Sequence, residues 1–303
     1  MANDKEDLGY EIVDEEDVEV VDPENCDGNC EGCSGSCESC GGSCGGTQDF
    51  SVAANPKSHV KRVIGIVSGK GGVGKSLITS LSAVMMQRRG CSVGIMDADM
   101  TGPSIPMGFG VHGRATANAD GILPNETKTG IKLTSVNLFL DDETEPVIWR
   151  GAVVANTVKQ FWTDVVWGDV DYMFVDMPPG TGDVPLTIFQ SLPVDGIIVV
   201  ASPQELVGMI VTKAVRMAEM MDIPILGIVE NMSWFQCDKC GEKHYIYGKS
   251  RLEEVAAKCG LKILARLPIR PDVAASVDAG QVEDVDFPEM EEAAAQIAAA
   301  LPV

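Results

Sequence analysis

Positive charge is scarce in this 303-residue chain: 23 Lys and Arg stand against 45 Asp and Glu, for a formal charge of -22 and a pI near 4.4. Neutralising nucleic-acid phosphates takes clustered Lys and Arg, so that balance argues against a nucleic-acid partner. Long apolar runs are lacking too, with none reaching the ~18 residues that span a bilayer. The opening MANDKEDLGYEIVDEEDVEVV has neither the basic n-region nor the apolar h-region of a secretory signal. A cytoplasmic protein with no membrane partner is expected. What is present is a globular share of hydrophobic residues, 45%, in a length that suits one α/β core with an appendage.

Charge and cysteine are unevenly spread. Residues 1–50 hold 15 acids and a single base, Lys5. Six of the ten cysteines, Cys26, Cys30, Cys33, Cys37, Cys40 and Cys44, fall there in a seven-residue unit that occurs three times: CDGNCEG, CSGSCES, CGGSCGG. Thiols apart, nothing between Pro23 and Phe50 can be buried, so this tail is expected to be disordered unless a ligand gathers the thiols. A reducing cytoplasm disfavours disulfides. That leaves iron-sulfur, zinc or another soft metal held by four of the six thiolates, or a plain solvated tail. Residues 51–60, SVAANPKSHV, read as a linker, and 61–303 as the folded domain.

From Lys61 the pattern is that of an alternating α/β domain. Short apolar runs at 63–68, 92–99, 172–178, 196–202, 223–231 and 262–269 alternate with helical stretches, such as 76–89 with Leu77, Leu81, Val84 and Met85 on one face. Runs without polar alternation suit strands covered on both faces. The expected fold is α/β, a mostly parallel sheet of the P-loop NTPase kind with helices on both faces. Ligands in such sheets bind beyond the carboxyl ends of the strands.

The first strand is followed at once by Gly69-Lys70-Gly71-Gly72-Val73-Gly74-Lys75-Ser76. This is G-x-x-x-x-G-K-[ST] in its strand-loop-helix context, where glycines let backbone N–H groups surround phosphate oxygens at a helix N-terminus. Lys75 is expected to reach the β- and γ-phosphates of ATP and Ser76 to ligate Mg²⁺. Asp176 closes the run YMFV and has the placement of a Walker B carboxylate on the same Mg²⁺. Asp97 and Asp99, two apart at the next strand end, are expected to point the same way, toward the γ-phosphate.

With SGKGGVGKS in place, the ordered series DADMTGPSIP, PVIWRG (146–151), VDMPPGTGD, ASPQELVGM (201–209) and ENMSWFQCDKCG (230–241) resembles the Mrp/ApbC family of deviant Walker A ATPases. The resemblance covers Lys61 to about Ala279. It implies a homodimeric ATPase that carries a labile [4Fe-4S] cluster and passes it to client apoproteins. It further implies that Lys70 reaches the nucleotide of a second subunit, that Asp99 orients the attacking water and that Asn231 contacts adenine. Arg150 lies in a recurrent segment without an assigned role. The acidic cysteine repeat stands where many bacterial members have an accessory domain, and its spacing differs from the N-terminal cysteine sets of some relatives.

Cys237 and Cys240 admit three readings. One is a structural zinc knuckle completed by His244 or Cys259. A redox pair would need a helix starting at the first cysteine, which CDKCGEKH does not suggest. The third is half of a cluster site: a cubane takes four thiolates, and two-fold symmetry supplies the other two, which is also the family's arrangement. Two further functions compete with cluster carriage, a nickel- or zinc-insertion ATPase and a MinD/ParA-type positioning ATPase. Against the latter, FPEMEEAAAQIAAALPV has no base with which to meet a membrane. Cys91, Cys259, His59 and His112 read as core or loop residues.

Overall fold

The computed structural model describes residues 51–100, 102, 104–139, 151–180, 182–204 and 207–303. Arg150 and the six N-terminal cysteines lie outside the described residues. All the described residues belong to the unit Phe50–Val303.

The six apolar runs form β1 (His59–Ser68), β2 (Val93–Asp97), β7 (Asp169–Asp176), β8 (Gly196–Ala201), β9 (Ile225–Glu230) and β12 (Ile263–Arg266). Short strands β3 (Thr116–Asn118), β4 (Gly121–Leu123), β5 (Asn125–Glu126) and β6 (Lys132–Thr134) follow β2, and β10 (Phe235–Gln236) and β11 (Lys243–His244) follow β9. Eight strands make one sheet in the order β12-β9-β8-β1-β7-β2-β6-β5. Every pairing is parallel except that of β5 with β6. β10 with β11, and β3 with β4, form separate two-stranded ribbons.

Because side chains alternate along a strand, each central strand feeds two cores. Ile64 and Ile66 of β1 belong to one, with Leu81 and Met85 of α1 (Lys75–Arg88) and Met290 and Ile297 of α8 (Pro288–Ala300). Val63 and Val67 belong to the other. There they join Trp162 of α3 (Gly151–Thr163), Ile188 of α4 (Asp183–Ser191), Val211 of α5 (Val207–Met220) and Ala256 of α6 (Leu252–Cys259). Helices thus cover both faces, as the unalternating runs require. Two shorter helices, α2 (Ile105–Gly108) and α7 (Pro271–Asp278), pack together beside the first core.

The stretch read as a linker is tied to the domain. Val52 N–H donates to Ser191 O at 3.0 Å, Trp162 Nε1 donates to Val52 O at 2.9 Å, and Asn55, 4% exposed, donates from its backbone to Trp162 O. Ser191 and Trp162 sit in the last turns of α4 and α3, where helix carbonyls lack intrahelical partners. His59 and Val60 are already part of β1.

Candidate functional site

β1, β7 and β2 are neighbours, and their carboxyl ends place the loop 69–74, Asp176 and Asp97 side by side; Asp97 and Asp176 are register partners. Gly72 and Gly74 have φ of +77° and +83°, in the left-handed region that only glycine enters without strain. The turn at Gly74 starts α1, so the loop's backbone and the helix N-terminus share one concave wall. A cleft of about 330 Å³ lies against it, lined also by Ser80, Asp99, Pro179 and Val277. Such a wall suits an anion, through its N–H groups and the helix dipole.

Inside the cleft the polar groups converge. Lys75, 6% exposed, has its ammonium 2.8 Å from Asp176 Oδ2 and 3.3 Å from Asp99 Oδ2. Ser76 Oγ donates to Asp176 Oδ2 at 2.6 Å and Thr79 Oγ1 to Asp176 Oδ1 at 2.7 Å. The expected cation, hydroxyl and two carboxylates are therefore together. Thr79 was not foreseen; lying three residues after Ser76 on one helix, it faces the same way.

Asp97 departs from expectation. β2 ends at this residue, so strand alternation does not carry on to Asp99, and the two carboxylates part. Asp97 is 1% exposed and accepts from Ser135 Oγ at 3.0 Å and from the Asp99 N–H at 3.2 Å. Burial, followed by the adjacent charge of Asp176, pushes its carboxyl well above the usual range, against the pull of Lys75 and the Ser135 hydroxyl. Asp99 alone of the two lines the cleft.

Asn231 follows β9 and is 4% exposed. Its Nδ2 donates to Val73 O at 2.9 Å, and its Oδ1 accepts from the Met232 N–H at 2.9 Å. The side chain expected at adenine is thus placed behind the loop, holding a loop carbonyl. Lys70, expected to reach a second subunit, here donates to Gln204 Oε1 of its own chain.

Cys237 and Cys240 sit at the turn joining β10 to β11. The Gly241 N–H donates to Cys237 O at 2.7 Å, the Cys237 N–H to Glu242 O at 2.9 Å, and Gly241 has φ +73°. Cys240 is exposed and Cys237 half-buried. The N–H groups of Cys240 and Lys239, together with the Cys240 thiol, hold the Cys237 thiol below its ordinary range, favouring the thiolate that binds soft metals. Among the described residues no third His, Cys, Asp or Glu joins the pair in a metal-holding group. Neither His244 nor Cys259 stands with the pair in such a group. Cys91 and Cys259 are half-buried free thiols, and His59 and His112 are exposed.

Residues 59–301 match the family described as ParA: NUBPL iron-transfer P-loop NTPase. An iron-sulfur cluster carrier protein of Methanocaldococcus jannaschii is 46% identical over 224 residues, 73% of this chain and 77% of that one. A carrier protein of the same name in Clostridium perfringens is 40% identical over 234 residues, covering 75% and 82%. The iron-sulfur cluster transfer protein NUBPL of Mus musculus is 36% identical over 244, covering 80% and 76%. A solved nucleotide-binding protein from Archaeoglobus fulgidus, in complex with ADP and with Co, superposes with a TM-score of 0.70 at 39% identity over 77% of this chain and 91% of that one. The MinD cell division protein of Aquifex aeolicus, at 20% identity, 78% and 97% coverage and a TM-score of 0.54, shares the fold. Phosphate loop, converging carboxylates and ordered motifs agree with that match over most of the length, and the chain belongs to the NUBPL-type iron-transfer P-loop NTPases of the ParA family.

Proposed function

We propose that this protein is an ATP-hydrolysing carrier that assembles a [4Fe-4S] cluster between two copies of itself and transfers it to apoproteins in the cytoplasm. The observation that carries the reading is the pairing of two sites. A cysteine pair, with the Cys237 thiol held below its ordinary range and no third ligand among the described residues, stands on the loop side of β9, at the same carboxyl ends of the strands as the phosphate loop. Two thiolates half-ligate a cubane, and a symmetric partner supplies the rest. The relatives named as iron-sulfur cluster carriers support the cargo.

At the nucleotide site the loop N–H groups and Lys75 take the phosphates, and Asp99, within ion-pair distance of Lys75, orients the attacking water. The hard oxygens of Ser76 and Asp176, 2.6 Å apart, fit Mg²⁺ and would hold it. When bound, that ion neutralises charge developing on the phosphates. Lys70 is released from Gln204 to reach the partner's nucleotide, and the thiols of Cys26 to Cys44 hold additional metal. Among the described residues no helix is long and apolar enough to cross a membrane.

Anaerobic reconstitution with iron and sulfide tests the reading. Visible absorption and about four irons per dimer beyond those of the tail are expected. Purification with stoichiometric nickel or zinc and no uptake of iron would instead make the protein a metal-insertion ATPase.

A further inference from the structure

Two consecutive residues at the end of β9 hold opposite things. Asn231 holds the phosphate loop through Val73 O. Glu230, one residue earlier, is 1% exposed and holds the cysteine-bearing excursion. That excursion leaves the domain at Ser233 and returns at Ser250. Glu230 Oε2 accepts from Ser233 Oγ at 2.7 Å, and Glu230 Oε1 accepts from Ser250 Oγ. One buried carboxylate therefore latches both feet of the segment that carries Cys237 and Cys240. Arg266 Nε, 3.7 Å from Glu230 Oε2, supplies the countercharge.

Above its feet the excursion is loosely held. Trp234 O accepts from Ile269 N–H and Phe235 bridges to Ile269, but residues 238–249 are exposed. An open space of about 500 Å³, lined by Trp234, Lys243, Tyr245, Lys249 and Arg266 among others, separates it from the body. Between the two grips Met232 has φ +59°, a left-handed turn that a non-glycine residue adopts only when its surroundings impose it. The Leu267 N–H to Glu230 O and Ser233 N–H to Leu267 O bonds, both 2.8 Å, stiffen this junction against β12. Val73 O, Asn231, the end of β9 and Glu230 thus form one connected path from the phosphate loop to the feet of the excursion.

We propose that Glu230 is a positioning residue that couples the nucleotide state of the phosphate loop to the geometry of the Cys237–Cys240 turn. The proposal rests on the carrier reading for its purpose, not for its mechanics. Its test is the alkylation rate of Cys237 in the metal-free, reduced full chain, mapped by peptide mass spectrometry with Mg-ADP or a slowly hydrolysed Mg-ATP analogue bound. The parent should show rates that differ between the two nucleotides by about fivefold or more. In Ser233→Ala/Ser250→Ala the two rates should become equal, while nucleotide affinity and the alkylation rate of Cys91 stay at parent values. Glu230→Ala should do the same where it folds; the serine pair keeps the test decisive where it does not. Equal rates in the parent, or an undiminished difference in the serine variant, overturns the latch. Iron content after reconstitution is measured separately. A parent that takes up no iron yet shows the nucleotide-dependent rate, lost in the variants, overturns the carrier reading and supports the latch.

Discussion

At the residue scale the proposed nucleotide site divides into groups expected to touch phosphate and groups expected to act in the chemical step. Lys75→Ala removes the buried ammonium between Asp99 and Asp176, and should abolish hydrolysis and weaken ATP binding. Asp99→Ala should leave binding near the parent value and stop turnover, because orienting water matters only in the transition state. A sensitive phosphate-release assay paired with a nucleotide-binding titration separates the two. Cys237→Ser should cost about four irons per dimer and leave ATP binding intact; iron determination after reconstitution reads it directly. Lys75, Ser76, Asp99 and Asp176 were legible in the sequence because each stands in a motif tied to a strand end. Asn231's grip on Val73 and Thr79's bond to Asp176 were not, since such partners become neighbours only when distant segments pack. Glu230 carries the signal that revealed Asp176, an acid closing an apolar strand, but without a glycine-rich sequel to mark it.

At the element scale the six buried strands could be read from unbroken apolar runs, whereas their order in the sheet could not, since a parallel sheet with helices on both faces admits many orders. β3 to β6, β10 and β11 are two or three residues long, too short to show a period, and they were missed. The turn from β1 into α1 depends on Gly74, whose φ is +83° and whose missing Cβ leaves room for the Asn231 amide. Gly74→Ala should lower stability by about 2 kcal/mol and impair nucleotide binding, measured by urea unfolding and titration. At the opposite strand ends, Asp171 of β7 lies 2.8 Å from Lys61 Nζ of β1 and accepts the Ser92 N–H at 2.8 Å just before β2. The Lys61 hydrogen bond, with that N–H, holds the Asp171 carboxyl below its ordinary range. A lowered folded pKa adds stability that is complete above the unfolded value and lost as pH falls through the folded one. Asp171→Asn should therefore have a lower urea midpoint at neutral pH, with the gap to the parent closing as the pH is brought down through the carboxylate range.

At the scale of the whole molecule, the chain carries most of its net charge before the domain: residues 1–50 hold 15 acids and one base, a net -14 of the formal -22. Beyond that segment, Val52 is held by Ser191 and Trp162. Deleting residues 1–50 should leave a chain that folds, dimerises and binds ATP but takes up less metal; analytical ultracentrifugation and iron content after reconstitution decide it. The exposed excursion from Ser233 to Ser250 has a different meaning at this scale. It contributes almost nothing to the two cores, so it can open and close as a unit of its own while the sheet stays intact. Amide hydrogens of 238–249 should exchange early in the metal-free protein and slow once the thiolates are ligated, with those of β1 and β7 unchanged. With Cys237 and Cys240 as the proposed cargo ligands, cargo binding would spend its free energy on ordering one small segment, and surrendering the cargo would cost the domain no global unfolding.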